Sequence, residues 1–274
     1  MTASRGRKGA RRMAEIPPEV LRGLERGELE TASLVEWLAI DQTRLLEHVL
    51  GELEWDLSRE DLRATAVELS EQGIVARTAG LGRALGLATI GRGRVRRGRD
   101  LRRRLAAHTC DAVRNWACYA EQVGELSLAE RLDRAQPFAA DAHSGVREIA
   151  WLAVRDAIIG EPDQAVELLE PWTREADPNL RRFASEATRP RGVWCAHLRA
   201  FRDEPERALT LLEPLRSDDS KYVRDSVANW LNDASRDRPD FVVALTDRWL
   251  AESPTRETDA LVRRALRTLR KAGA

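Results

Sequence analysis

The chain has 274 residues, with 45 basic and 45 acidic side chains and a formal net charge of zero. That length provides one large or two modest domains with an ample core, and the neutral balance means that no whole-molecule field attracts nucleic acid. Three cysteines without a CxxC pair fit a reduced, cytoplasmic protein better than a disulfide scaffold or a zinc site. No apolar run approaches the length of a membrane span, and the N-terminus lacks the apolar core of a signal peptide.

The N-terminal residues 1–15 are basic and almost without apolar side chains. They are predicted to form a disordered tail that attracts nucleic acid only loosely, ahead of a helical domain over residues 16–274. From Pro18 onward the apolar residues follow helical spacing, with hardly any of the alternation that indicates strands. Thr31 to Leu50 is predicted as one long helix that buries an apolar face including Leu34.

Arginines cluster in the segment from Gly91 to Arg104, where eight of them accompany a single acid, Asp100. Its glycines predict a flexible loop that enters a helix near Asp100. Lysine occurs only at positions 8, 221 and 271 of the chain, a bias that a GC-rich genome would produce without selection for phosphate binding. The segment is therefore either a solvated run of charge or a phosphate-contacting element.

After His108 an apolar-Arg dipeptide recurs, with separations of 33, 34, 43 and 39 residues between its five occurrences. The dipeptides are Val113-Arg114, Val146-Arg147, Leu180-Arg181, Val223-Arg224 and Val262-Arg263. Repeats of this length with two helices each are typical of an all-α solenoid of HEAT type. The second helices of the repeats are expected to line one concave groove.

Polar side chains occupy the repeat positions that are predicted to line this groove. Glu186 and Asp233 are expected on neighbouring helices at its centre, with Asn229 between them and Arg182 beside them. On this interpretation the two carboxylates are not core ion pairs. A polar ladder between repeats is the structural alternative.

The stretch that contains Glu186 also carries start and stop signals for a helix. Asp177-Pro178 predicts its beginning, and Pro190 predicts its end. Arg182 and Glu186 then share one helix face, and three candidate site residues follow in the helix exit: Arg189, Arg191 and Trp194. A solvated, salt-bridged helix face would explain the same pattern.

Three segments of the C-terminal half resemble one protein family. They read RRFASEATRPRGVW at Arg181–Trp194, YVRDSVANWLND at Tyr222–Asp233 and LVRRALRTLRKAG at Leu261–Gly273. The sequence resembles the HEAT-like-repeat DNA alkylation-repair glycosylases, with AlkC as the nearer branch and AlkD as the more distant one. The resemblance covers roughly half the chain and does not include the immunoglobulin-like domain that AlkC proteins often add.

The resemblance implies an all-helical clamp that hydrolyses the N-glycosidic bond of cationic alkylated bases, such as 3-methyladenine, without flipping them. It implies that Glu186 and Asp233 face the damaged nucleotide, with Trp194 as an aromatic and Arg182 as a basic neighbour. Carboxylates stabilise an oxocarbenium-like transition state and orient water, and an indole face attracts the developing cation. No metal or organic cofactor is expected. The expected partner is duplex DNA containing alkylated bases, bound by a monomer at the nucleoid of the bacterial cytoplasm.

One position departs from the AlkC pattern. AlkC has a glutamate just before the segment that matches residues 153–155, and Trp151 stands there in this chain. Glu148, one helical turn earlier, is the predicted replacement carboxylate. Arginines neutralise phosphates and fix the register of a protein on DNA, and the candidates for such contacts are Arg155, Arg189 and Arg191. Trp151 and Asn229 are further candidates for DNA contact.

Two other classes of function remain open at this point. The first is a relative that binds DNA structures without glycosylase activity, which the departure at Trp151 favours. The second is a HEAT scaffold whose polar groove binds a peptide of a protein partner. The presence of both Glu186 and Asp233 favours the enzyme over either alternative.

Overall fold

The computed structural model of the protein describes residues 7–90 and 95–272, and these residues form helices and turns without a β-strand. They group into two compact units. The first unit is Met1–Leu126 with Asp141–Ala153, and the second is Ser127–Ala140 with Val154–Ala274. The predicted all-α class is confirmed, and the division falls inside the stretch that was expected to form one repeat domain.

The first unit contains helices α1 to α7, and its core is built on α3, α5 and α7. The bounds are α1 Pro18–Glu25, α2 Leu34–Ala39, α3 Gln42–Glu52, α4 Arg59–Glu68, α5 Ile74–Ala88, α6 Val95–Ala106 and α7 Asp111–Ala120. Gly82 and Gly86 allow α5 to approach the backbone of α7 closely. A Cβ atom at either glycine would come within 2.5 Å of a main-chain oxygen of α7, so no larger residue fits there.

The second unit contains α8 and α10 to α17, and α9 contributes residues to both units. The bounds are α8 Leu128–Ala139, α9 Ser144–Gly160, α10 Pro162–Leu169, α11 Pro178–Ala187, α12 Arg199–Asp203, α13 Leu209–Leu212, α14 Lys221–Ala234, α15 Pro239–Glu252, α16 Arg256–Ala265 and α17 Arg267–Ala272. Short 3-10 turns lie at Met13–Glu15, Glu170–Arg174, Pro205–Ala208 and Glu213–Leu215. Within the second unit α14 packs between α11 and α16, so side chains of these three helices can meet.

The segment predicted as one helix from Thr31 to Leu50 is two helices, so that prediction is wrong. Ile40 has an extended backbone with ψ of 124°, which ends α2. Asp41 then caps α3, because its carboxylate accepts two backbone N–H hydrogen bonds in the first turn. Leu34, the first residue of α2, is exposed instead of buried.

Residues 7–15, which are the described part of the predicted basic tail, contact the α2 region instead of extending freely. Arg7 forms a 2.6 Å ion pair with Glu36, whose side chain is fully buried. Burial alone would raise the pKa of Glu36, but the Arg7 guanidinium and two backbone N–H donors outweigh it and hold that pKa below its usual value. Residues 1–6 of the predicted tail lie outside the described residues.

The repeated apolar-Arg dipeptide has a common structural role at four of its five positions. In each, the Nη1 atom of the arginine donates to the main-chain carbonyls five and six residues earlier, at 2.6–3.0 Å. We call this contact the arginine brace, and it is formed by Arg114, Arg147, Arg181 and Arg224. The carbonyls belong to the turn that precedes each helix, where regular structure offers them no donor.

Two braces also join consecutive repeats through an aspartate. Arg114 pairs with Asp141 at 2.8 Å, and Arg181 pairs with Asp218 at 2.7 Å. At the fifth dipeptide the exposed Arg263 pairs instead with Asp259 on its own helix. The sequence repeat therefore reflects a means of fastening each turn to the helix that follows it.

The brace predicts an unequal response to the same substitution at two repeat positions. Arg181→Gln removes a guanidinium that donates to two turn carbonyls and to Asp218, whose side chain is 5 % exposed. It is expected to lower the free energy of unfolding by about 1–3 kcal/mol. Arg263→Gln at the equivalent, exposed position should change it by less than about 0.5 kcal/mol. Urea unfolding followed by circular dichroism measures both, and equal losses would contradict the brace.

Candidate functional site

The loop that follows α11, residues 188–198, is fastened by a single arginine from α9. The guanidinium of Arg155 donates to Ala187 O at 2.8 Å, to Arg189 O at 2.7 Å and to Ala196 O at 3.1 Å. The indole Nε1 of Trp230 donates to the carbonyl of the first loop residue at 3.0 Å. We call this segment the exit loop, and its backbone is held at both ends.

Arg155 was predicted to contact phosphate, and that prediction is wrong. The residue is only 2 % exposed, and Nε, Nη1 and Nη2 all donate to main-chain carbonyls. Burial lowers the pKa of Arg155 below its usual value. An enclosed guanidinium cannot neutralise a phosphate, so Arg155 acts on the site only by shaping the exit loop.

Trp194 lies in the exit loop with 55 % of its surface exposed. Its φ of 64° is in the left-handed region, which is uncommon for a bulky residue. Such backbone strain persists only where the surrounding structure enforces it, and it clusters at functional sites. The loop thus presents an indole to solvent, as a residue that contacts a ligand requires.

Glu186 and Asp233 are joined by one guanidinium. Glu186 is in the last turn of α11 and Asp233 is near the end of the adjacent α14. Arg189 of the exit loop donates through Nη1 to Glu186 Oε1 at 2.8 Å and through Nε to Asp233 Oδ2 at 2.8 Å. Its Nη2 also lies 2.8 Å from Asp233 Oδ2. Both predicted carboxylates therefore converge on one point in the second unit.

The other oxygen of Glu186 has its own partners. Ser226 Oγ of α14 donates to Glu186 Oε2 at 2.6 Å, and Arg182 Nη2 lies 3.3 Å from the same atom. Ser185 Oγ is 2.8 Å from Ser226 Oγ, which continues the polar contact between α11 and α14. Glu186 is thus held by three side chains, whereas Asp233 is held by Arg189.

Both carboxylates are buried, contrary to the expectation that they are not core ion pairs. Glu186 is 3 % exposed and Asp233 is 7 % exposed. Burial alone would raise the pKa of Glu186, but Arg182, Arg189 and Ser226 outweigh it and hold that pKa below its usual value. For Asp233 burial prevails, and its pKa is raised in spite of Arg189. The prediction failed because the exit loop folds back and supplies a counter-ion from within the chain.

The remaining predicted residues of the second unit lie around this pair. The Arg182 guanidinium lies 4.3 Å above the ring of Tyr222. Arg191 forms a two-pronged ion pair with Asp237, at 2.8 and 2.9 Å. Asn229 Oδ1 accepts a 3.1 Å hydrogen bond from Arg267. Arg182 is buried, with 8 % of its surface exposed, whereas Arg191 and Asn229 are partly exposed. The predicted contacts of these three residues with DNA stay predictions.

Glu148 and Trp151 belong to the first unit. Trp151 is 4 % exposed, and its Nε1 donates to Glu148 Oε2 at 2.9 Å. A core indole cannot stack on a base, so the predicted DNA contact of Trp151 is wrong. Trp151 instead orients the carboxylate of Glu148, which is partly exposed.

The arginines of α6 divide between two faces of the helix. Three bind the first unit itself: Arg97 donates to Glu54 O, Arg102 to Thr89 Oγ1 and Arg104 to Leu53 O, all within 2.9 Å. The others lie together on an exposed surface formed by Arg96, Arg99 and Arg103. The helix begins at Val95, earlier than predicted, and the expected loop over residues 91–94 lies outside the described residues.

Sequence reasoning missed Ser226 and Asp237. Ser226 lies seven residues before Asp233, two turns away on the same face of α14, and this spacing could have revealed it. Asp237 lies beyond the end of α14, and only the exit loop, whose path no periodicity predicts, brings Arg191 to it.

In the described part of the chain no three His, Cys, Asp or Glu side chains are grouped as a metal site requires. No described helix has the length and apolar character needed to cross a bilayer.

Comparison with known proteins finds solved structures with a similar fold. The DNA-bound alkylpurine DNA glycosylase AlkC of Pseudomonas fluorescens superposes with a TM-score of 0.68 at 24% identity, over 86% of this chain and 65% of AlkC. AlkD2 of Streptococcus mutans superposes with a TM-score of 0.53 at 19% identity, over 81% of this chain and 97% of AlkD2. The predicted helical-repeat fold is therefore confirmed, and it is similar to the folds of these two proteins.

A sequence relative is found in Bacillus subtilis strain 168. Its protein YhaZ is 34% identical over 155 residues, which are 57% of this chain and 41% of YhaZ. The chain thus spans less than two thirds of the length of both YhaZ and AlkC. No family model matches the sequence.

Proposed function

We propose that the protein is a DNA glycosylase that hydrolyses the N-glycosidic bond of cationic alkylated bases in duplex DNA. The observation that carries this proposal is the convergence of Glu186 and Asp233 on one point, joined by Arg189 within 2.8 Å of each. Similarity in fold to AlkC, whose structure contains DNA with an abasic-site analogue, supports it. A cytoplasmic location at the nucleoid is part of the same proposal.

The chemistry follows from the charge of the substrate. A cationic base is already a good leaving group, and its departure leaves positive charge on the sugar. Glu186 and Asp233 would stabilise that charge, and one of them would orient the attacking water. The exposed indole of Trp194 would lie against the sugar and attract the cation through its π face. Arg182 and Arg191 would position the DNA backbone without reading its sequence.

The direct experiment is base release by the purified protein from duplex DNA treated with a methylating agent. Release of 3-methyladenine supports the proposal, and intact glycosidic bonds under single-turnover conditions contradict it. Binding without release would favour the second candidate, a DNA-structure-binding relative. Trp151, buried where AlkC carries a glutamate, is the observation in favour of that candidate.

The carboxylate pair gives the first test of mechanism. Glu186→Gln and Asp233→Asn should each lower the single-turnover excision rate by about a hundredfold or more, because the transition-state charge loses its counter-ion. Both should also lower the melting temperature, since the largely enclosed guanidinium of Arg189 is left with one carboxylate. Rates are therefore compared at a temperature at which circular dichroism shows every variant folded.

Asp218→Asn is the matched control for that test. The side chain of Asp218 is likewise only 5 % exposed and pairs with an arginine, at 2.7 Å from Arg181, but it lies in a brace and not beside Glu186. Its substitution should lower the melting temperature and leave excision within about threefold of wild type at the permissive temperature. Wild-type rates in both site variants would remove the pair from the mechanism.

Glu148 gives a second test, because it is proposed to replace the carboxylate absent at Trp151. Glu148→Gln retains an oxygen for the Trp151 indole, so the melting temperature should hardly change. Excision should fall by about tenfold or more if the charge participates. Trp151→Phe removes the indole donor and should lower excision less, by misorienting the carboxylate. Full excision by Glu148→Gln would leave only Glu186 and Asp233 assigned to chemistry.

The exposed α6 arginines test sequence-independent binding. Replacing Arg96, Arg99 and Arg103 by Gln should weaken binding to undamaged duplex and reduce the slope of log affinity against log salt concentration by about 2–3, since fewer counterions are released. The control replaces three arginines elsewhere that are also exposed, Arg256, Arg263 and Arg270, with the same change in net charge. Equal slopes in the two triple variants would show that α6 makes no specific contact with phosphate.

A further inference from the structure

The guanidinium of Arg189 is the group that ties the two site carboxylates together. Nε and Nη2 both lie 2.8 Å from Asp233 Oδ2, and Nη1 lies 2.8 Å from Glu186 Oε1. The side chain is only 14 % exposed. Its backbone is fixed as well, because Arg155 holds the Arg189 carbonyl at 2.7 Å and Pro190 follows. A rigid stretch of chain therefore positions the Arg189 guanidinium between the two carboxylates.

The two carboxylates depend on Arg189 to different degrees. Without it Glu186 would keep Ser226 at 2.6 Å and Arg182 at 3.3 Å. Within the described part of the chain the carboxylate of Asp233 accepts hydrogen bonds from Arg189 alone. Asp233 would then be a buried carboxyl beside a negatively charged Glu186. Desolvation and a like charge both disfavour ionisation.

We propose that Arg189 is a positioning residue for excision, which fixes the orientation of Asp233 and maintains it as a charged partner of Glu186 in a site that would otherwise favour a neutral carboxyl. This inference rests on the proposed excision reaction, in which Asp233 must be ionised to stabilise positive charge on the sugar. Arg189 thus acts through Asp233 and is not proposed to touch phosphate, which revises the interpretation from the sequence.

Several other charged groups also face Asp233. Arg236 lies just after the end of α14, the helix that carries Asp233. Neighbouring elements contribute Glu186, Arg155 and Arg267. Burial raises the pKa of Asp233, Arg189 opposes that rise, and Glu186 adds to it. A raised pKa means that ionised Asp233 is lost as the pH falls through this value. Removing Arg189 moves that loss to higher pH, because the cations that remain do not hydrogen bond to the carboxylate.

The test compares Arg189→Met and Arg189→Lys with wild type. Single-turnover excision is measured between pH 5 and 9 on methylated duplex, within the range in which each protein is folded. The acid limb is the part of the pH profile in which the excision rate falls as the pH is lowered. In Arg189→Met this limb should move to higher pH by about one unit or more. In Arg189→Lys the limb should stay near its wild-type position, because the charge remains. Its plateau should fall, since one ammonium cannot span two carboxylates as a fork does.

Arg202→Met is the matched control, because it removes an ion pair of the second unit, with Asp237 at 2.9 Å, that does not touch Asp233. It should lose stability without moving the acid limb. An unmoved limb in Arg189→Met, with the rate merely reduced, would overturn the proposal and leave Arg189 with a structural role.

A measurement that needs no activity separates this inference from the proposed function. The pKa of the Asp233 carboxyl is followed by ¹³C NMR in the ligand-free protein, with Asp233→Asn used to assign the signal. The pKa should be higher in Arg189→Met than in wild type and close to wild type in Arg189→Lys. If wild type releases no base, the proposed function fails while this titration still decides on Arg189. Identical pKa values in all three proteins would overturn the inference.

Discussion

The donation of arginine side chains to main-chain carbonyls is the interaction on which the rest of this structure depends. A helical repeat protein has many turns, and every turn leaves carbonyl groups that regular hydrogen bonding does not satisfy. In four repeats one guanidinium supplies donors to two such groups. Arg155 does the same for the loop after α11 with all three of its nitrogens. The planar, permanently charged fork suits this task because it presents several donors in fixed directions.

The candidate site is a consequence of the same interaction. Because Arg155 fixes the exit loop, Arg189 reaches Glu186 and Asp233, and Trp194 is presented to solvent. The site therefore combines buried charge with an exposed aromatic ring, although both come from one short loop and its neighbours. Removing charges from water is costly, so the carboxylates keep their position only while a complete set of donors surrounds them. The conformation of the exit loop therefore determines whether the two carboxylates of the site stay charged.

The sequence predicted the parts of this arrangement that local rules govern. The start of α11 at its Asp177 cap and its end before Pro190 follow from capping and proline geometry, and the repeat spacing led to the correct fold. The environments of Arg155 and Trp151 could not be predicted in this way. Both lie on α9, where spacing indicates a shared face but not which partner covers it. The contact of Arg189 with Glu186 and Asp233 could not be predicted either, because it depends on the path of an irregular loop.

The brace also bears on which compositions this fold tolerates. Exchange between arginine and lysine is commonly regarded as conservative, and over evolutionary time surface positions drift freely between the two. A lysine ammonium is a single point charge on a flexible stem, and it cannot reproduce a fork aimed at two carbonyls. At the brace positions arginine is therefore required by geometry, whatever causes the scarcity of lysine, present at only positions 8, 221 and 271, in the rest of the sequence. A relative drifting towards lysine would keep this architecture only where its turns acquired other donors.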